Sequence, residues 1–213
     1  EIMPSLVGSE MCIRDRYRAN AQRAKAQSRF ADYHDYLLSL EMTAEIGDFS
    51  PLYLQRITQL TNKSNQFNLT TKRYTAEQME AVYNSDEYIR LYGKLYDKFG
   101  DNGVVAVTIG KTDSEDKGRL DIELWLMSCR VLKRDMELAM LDSLVEQAKK
   151  RGIREIYGHY YPTAKNKMVA GLYESFGFEK ISQDEEGNTA WRLLVEGYED
   201  KNTVIKVKEE HYA

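Results

Sequence analysis

Residues 127–135, MSCRVLKRD, put one thiol and three cations at the junction of an expected strand and an expected helix. The free N–H groups of a helix start favour an anion. Arg130, Lys133 and Arg134 add side-chain charge, which arginine can deliver to a phosphate bidentately. The stretch holds no glycine, so the backbone cannot approach a diphosphate closely. It suits one phosphate held by side chains, or equally a solvated basic helix start. Cys129 stands at the strand end. A helix N-terminus and neighbouring cations favour thiolate, which can carry an acyl group as a thioester. The same position also suits a small buried hydrophobe.

A second group follows in IREIYGHYYPTAKN. Strand alternation places Glu155, Tyr157, His159 and Tyr161 on one face. His159 is a candidate general base, because imidazole titrates near neutrality; the four together also read as a plain polar network. Thr163, Lys165 and Asn166 lie between a strand end and a helix, where open α/β sheets take ligands. Asn166 is equally suited to cap that helix. In NKSNQFN, Asn62, Asn65, Gln66 and Asn68 are expected to satisfy buried backbone groups rather than touch a substrate. Cys12 and Cys129 have neither a disulfide framework nor metal-ligand spacing.

The elements that must position these groups follow from periodicity. Tyr17 to Leu40 has high helix propensity, without proline or glycine. Ser50 and Pro51 supply an N-cap and a first-turn proline for a helix with Leu54, Ile57, Leu60 and Thr61 on one stripe. FNLTTKRYT reads as a strand, and Thr75 and Gln78 form a capping box for a short helix. EYIRLYGKLYDKF, GVVAVTIG and RLDIELWLMSC are strands, with GDNG (100–103) as the first turn. A long helix spans Lys133 to Arg151 and ends at Gly152. IREIYGHYY is a strand and NKMVAGLYESFG a short helix. Two strands, 179–182 and 189–195, flank DEEGN, and TVIKVK can add one more. From Phe67 the order is β-α-β-β-β-α-β-α-β-β, which predicts an α/β (α+β) mixed sheet with helices on its faces.

The composition, 42% apolar, 30% charged and net charge −4, is that of an ordinary soluble globular protein. No sustained basic stripe appears, so nucleic acid is not an expected partner. No apolar run approaches the roughly 18 residues of a membrane span, so no membrane partner is expected. No secretory leader is recognisable, and a cytoplasmic protein is expected. PSLVGSEMCIRDR, residues 4–16, reads like a translated sequencing adapter. Residues 1–16 are therefore expected to be non-native.

The β-α order resembles the GNAT acyltransferase fold, and NKMVAGLYESFGF resembles its asparagine-to-GF segment through Asn166, Leu172, Tyr173, Gly177 and Phe178. The resemblance implies that this helix lies beside a pantetheine arm and that Tyr173 protonates a departing thiolate. In the GNAT pyrophosphate loop, Q/R-x-x-G-x-G/A, Arg130 takes the first position, but Lys133 and Asp135 stand where glycines belong.

A narrower resemblance covers nearly all of residues 17–195. QLTNKSNQFNLTTKRYT, LMSCRVLKRDME and YPTAKN are similar to the C-terminal part of FkbH-like proteins, which join a haloacid-dehalogenase (HAD, subfamily IIIC) phosphatase-like domain to a GNAT-like one. This implies transfer of a glyceryl-type acyl group to the phosphopantetheine thiol of an acyl carrier protein. Tyr173, Cys129 and His159 would be catalytic. Arg130, Lys133, Arg134, Thr163, Lys165 and Asn166 would hold the phosphopantetheine arm, or CoA. No DxDxT motif is present, so no phosphatase activity is expected. Magnesium would belong only to a missing HAD domain acting in cis, and no metal site is expected in this chain. The implied organisation is a helical HAD remnant and linker at 17–62, a GNAT-like domain at 63–198 and a tail at 199–213. Two alternatives stand: a non-catalytic carrier-docking module, and an independent CoA-dependent N-acyltransferase.

Overall fold

The computed structural model describes residues 4–209, with side chains from 14 to 208. Cys12 and the ends of the expected 1–16 and 199–213 segments lie outside the residues whose side chains are described. One mixed, nine-stranded sheet organises them. Its elements are α1 (Pro4–Gln27), α2 (Tyr33–Ser39), β1 (Thr43–Asp48), α3 (Pro51–Lys63), β2 (Phe67–Asn68), α4 (Ala76–Tyr83), β3 (Tyr88–Asp97), β4 (Gly100–Thr112) and β5 (Arg119–Met127). Then come α5 (Met136–Lys150), β6 (Glu155–Tyr160), α6 (Leu172–Ser175), β7 (Glu179–Gln183), β8 (Thr189–Leu194) and β9 (Lys206–Glu209). The strand order is β7-β8-β6-β5-β4-β3-β1-β9, with β2 paired to β5 off that path. Only β5–β6 and β1–β9 are parallel among these pairs. One core packs α2 and α5 against the sheet; the other packs α3 and α4 against its opposite face.

Several expectations need correction. The Tyr17–Leu40 helix is two helices, because Asp32 turns the chain and caps α2 by accepting from the Asp35 N–H at 3.0 Å. Residues 17–62 are not purely helical: β1 lies within them, pairing with β3 on one edge and β9 on the other. Ala44 and Ile46 of β1 belong to the same core as α5, and Ile57 and Leu60 of α3 share a core with β4 and β5. FNLTTKRYT gives only the two-residue β2. The first hairpin turns at Lys98–Phe99, since Asp97 pairs with Gly100, and GDNG is absorbed into β4. The long helix starts at Met136, and NKMVAGLYESFG breaks into a 3₁₀ turn at Lys167–Val169 followed by the four-residue α6. The capping box of Thr75 and Gln78 forms as expected.

The site is shaped by how β5 ends. Ile109 pairs with Leu124 and Gly110 with Ile122, leaving Glu123 as an extra residue that bends β5. Pairing with β6 covers only Arg119–Asp121 against Glu155–Tyr157, so beyond that point the two strands part. They are joined by α5, and the gap at their carboxyl ends is the place where such sheets take ligands.

Here the gap is filled by the chain itself. Phe67 and Asn68 pair antiparallel with Met127 and Leu126. The Leu69 N–H donates to the Trp125 carbonyl at 3.2 Å, and the Leu69 carbonyl accepts from the Tyr161 N–H at 2.9 Å. Thr70 Oγ1 donates to the carbonyl of the bulged Glu123 at 2.7 Å. Phe67, Asn68 and Leu69 are all buried. Burying the two apolar side chains is worth roughly 1.5–3 kcal/mol each.

Candidate functional site

Outside the filled gap lies a cleft of about 1330 Å³ between α1, α3, the β3–β4 hairpin and the Ser128–Arg130 turn. Arg56, Lys63, Asn65, Cys129, Arg130 and Lys165 are among the residues lining it. Ser128 starts the 3₁₀ turn at Cys129–Val131, and its hydroxyl accepts from the Arg130 N–H and Nε at 3.4 and 3.2 Å. That holds the half-buried Arg130 side chain in place while Cys129 stays exposed. Burial pulls the Arg130 guanidinium below its ordinary value, and Arg56 adds to the effect. Burial lowers Arg56 in the same way. Among the described residues neither arginine forms an ion pair with a carboxylate. Two partly desolvated, unpaired guanidiniums facing one space make a site for an anion.

The other two cations of MSCRVLKRD are not there. Lys133 and Asp135 both take left-handed backbone conformations, at φ 62° and 59°. The chain thereby twists Arg134 inward, where it donates to Asp97 Oδ2 at 3.0 Å and to the Arg130 carbonyl at 3.0 Å. Arg23 of α1 grips the same buried carboxylate at 2.8 and 3.0 Å. Arg134 is thus a structural cation, which corrects its expected role as a phosphate ligand. Lys133 is exposed and outside the cleft lining; its carbonyl accepts from the Tyr33 hydroxyl at 2.6 Å. Met136, the first residue of α5, is fully buried and packs against Gly93 of β3.

Asn166 is also structural. Fully buried, it donates from Nδ2 to the carbonyls of Asn68 and Tyr161, both at 2.9 Å, and its Oδ1 accepts from the Thr163 N–H at 2.7 Å. It therefore staples the gap-filling segment to the loop after β6, and its side chain caps no helix. Thr163 Oγ1 orders the same loop by accepting from the Lys165 and Asn166 N–H groups. Of the amides in NKSNQFN, Asn62 bonds the Thr58 and Tyr74 carbonyls, and Asn68 bonds the Ser64 carbonyl and the Thr71 N–H. Asn65 takes Arg73, whose other nitrogen reaches the Thr61 and Ser64 carbonyls.

Tyr173 sits in the core at 1% exposure, its ring against Gly158, and its hydroxyl has no side-chain partner. Burial pushes its hydroxyl pKa up. An enclosed hydroxyl of this kind is in no position to protonate a thiolate in the cleft. His159 lies elsewhere, on the face of β5 and β6 away from α5, with Nε2 3.3 Å from Asp121 Oδ1. Arg119 holds Asp121 with two bonds at 2.8 and 2.7 Å and stacks over the Tyr157 ring at 4.0 Å. Burial alone would raise the Asp121 carboxyl, but the bonds from His159 and Arg119 outweigh it and hold it low. His159 is absent from the cleft lining, so Cys129 and His159 do not share that space.

Arg56, Lys63, Arg119 and Asp121 were not singled out from the sequence. Arg56 and Lys63 recur at helical spacing on α3, the signal that could have shown one basic edge. Among the described residues no group of His, Cys, Asp and Glu could hold a metal ion, and no helix is long and apolar enough to cross a membrane.

No protein-family model matches the chain, and no curated protein matches it. Solved structures do. The Escherichia coli ribosomal-protein-S18-alanine N-acetyltransferase is similar at TM-score 0.54 and 14% identity, over 76% of this chain and 99% of that one. The putative acetyltransferase yncA from Salmonella typhimurium, solved with acetyl-CoA, is similar at 0.54 and 14%, over 74% and 96%. The GNAT domain of S. lividans PAT gives 0.54 and 14%, over 70% and 89%. The chain has the fold of the GNAT acetyltransferases.

Proposed function

We propose that this chain takes part in acyl transfer from a CoA-type thioester, and that the basic cleft holds the phosphate-bearing end of the donor. The observation that carries the reading is the pair Arg56 and Arg130, half-buried and, among the described residues, without a carboxylate ion-pair partner at the edge of the filled gap. Lys63 and Lys165 add charge around the same space. In the finer reading the chain is the GNAT-like part of an FkbH-like enzyme. The arm in the cleft is then the phosphopantetheine of an acyl carrier protein, whose thiol is the acyl acceptor instead of the donor, and the phosphatase-like chemistry lies in a HAD domain in cis. Cys129, exposed in the cleft, is the group placed to accept the acyl chain. Its thiolate would form the new C–S bond as the donor thiolate leaves and takes a proton.

A thermal-shift titration with phosphopantetheine, CoA and acetyl-CoA tests the reading. A ligand at about 100 times its Kd should stabilise the fold by roughly 2.7 kcal/mol. Arg56→Ala and Arg130→Ala should each weaken binding by about tenfold or more, the loss of a charge-assisted hydrogen bond. No shift with any of the three ligands would end the proposal. Mass spectrometry after incubation with an acyl thioester reads Cys129 directly, with Cys129→Ser as the control.

A second reading, a non-catalytic docking module for a carrier protein, draws on the filled gap and on the enclosed Tyr173 hydroxyl. Tight carrier binding without acyl transfer in the intact enzyme would favour it.

A further inference from the structure

We infer that residues 67–69 are a permanent seal of the gap between β5 and β6, so that a phosphate-bearing ligand is held entirely outside it, in the basic cleft. The ligand half of this inference rests on the function proposed above; the seal does not.

The gap is closed by features that a movable strap lacks. Both edges are satisfied: the Trp125 carbonyl by the Leu69 N–H, and the Tyr161 N–H by the Leu69 carbonyl. Asn166, itself fully buried, pins the Asn68 carbonyl from below. Phe67 and Leu69 belong to the main core together with Trp125, Met127 and Tyr173. Withdrawing the segment would therefore expose two core side chains and leave buried carbonyl and N–H groups on β5, the β6 loop and Asn166 without partners. Few ligands could replace all of these at once. A ligand that stays outside meets a different surface, lined by Arg56, Arg130, Lys63, Lys165 and Cys129, with Asp15 and Asp101 also on its wall. That surface recognises phosphate and offers an extended amide arm none of the β5 backbone groups that β2 already occupies.

Native-state hydrogen exchange on the full chain tests the seal without any ligand. The Leu69 and Tyr161 amides should exchange within about tenfold of the slowest β4 core amides, such as those of Val107 and Ile109, because all open only with the whole fold. Exchange about a thousandfold or more faster than those would mean that the segment opens locally, and would overturn the inference. Phosphopantetheine and pantetheine then test the ligand half. Binding of the phosphorylated form alone, with Leu69 and Tyr161 exchange unchanged, is the expected result. Comparable binding of pantetheine, or loss of Leu69 protection on adding either ligand, would show an arm inside the gap and overturn it. Silence from both ligands would overturn the cleft as a phosphate site, and the proposed function with it, while the exchange rates would still decide the seal.

Discussion

At the scale of single residues, backbone twist decides which side chains can meet a ligand. The left-handed pair Lys133 and Asp135 sends Arg134 to Asp97, so a run that reads as three available cations yields one in the cleft. Sequence spacing shows residue types but not the sign of φ, and this is why Arg134 was misplaced; the Tyr173 hydroxyl was misplaced because its ring packs into the core against Gly158, while the backbone-bonding amides Asn62 and Asn68 were legible. The Arg23–Asp97–Arg134 cluster should be a strong fastening. Asp97→Ala leaves two buried guanidiniums facing each other, and urea unfolding should show a loss of about 3–5 kcal/mol. Glu137 offers a pH test. Burial pushes its carboxyl above the ordinary value, and one of its oxygens is enclosed without a partner. A raised folded pKa means stability that is full below the unfolded value near 4.3 and lost as pH rises through the folded one. Glu137→Gln should therefore raise the Tm at pH 7, with the gain fading towards pH 4.

At the scale of elements, most of the β-rich half was legible because β3, β4, β5 and α5 have strong periods. What escaped was short or depended on a distant partner. The six-residue β1 carries Glu45 and Gly47 on its other face, and it is a strand because β3 and β9 flank it. FNLTTKRYT has strand-forming residues but pairs only where β5 and β6 part. The string that carries the FkbH-like resemblance thus has structural duties throughout: it ends α3, fills the gap and caps α4. The contact between β6 and α6 is equally close. A Cβ on Gly158 would lie 2.4 Å from two atoms of the Tyr173 ring. Gly158→Ala should cost about 1–3 kcal/mol by overpacking, visible as a lower urea midpoint with an unchanged slope.

At the scale of the whole molecule, the two cores lie on opposite faces of one sheet, and the residues expected to be a separate helical remnant contribute to both. The likeness to GNAT acetyltransferases, over 70–76% of this chain, is one of fold rather than of shared residues, since identity is only 14% to each of the three structures described. The fold was therefore more legible than the site. Strand order survives sequence change, whereas the cleft depends on a glycine-free turn and on a basic edge of α3 whose distant partners its own helical spacing does not reveal. The parallel pairing of β1 with β9 has a consequence in time. The earliest described strand of the sheet receives its outer neighbour only from the last described strand, so that pairing cannot form until residues 206–209 are available. Contacts of such long sequence separation are formed late and slowly. A growing or refolding chain must hold β1 against β3 with its other side open, and in that interval the exposed edge is the place where a second unfinished chain could pair.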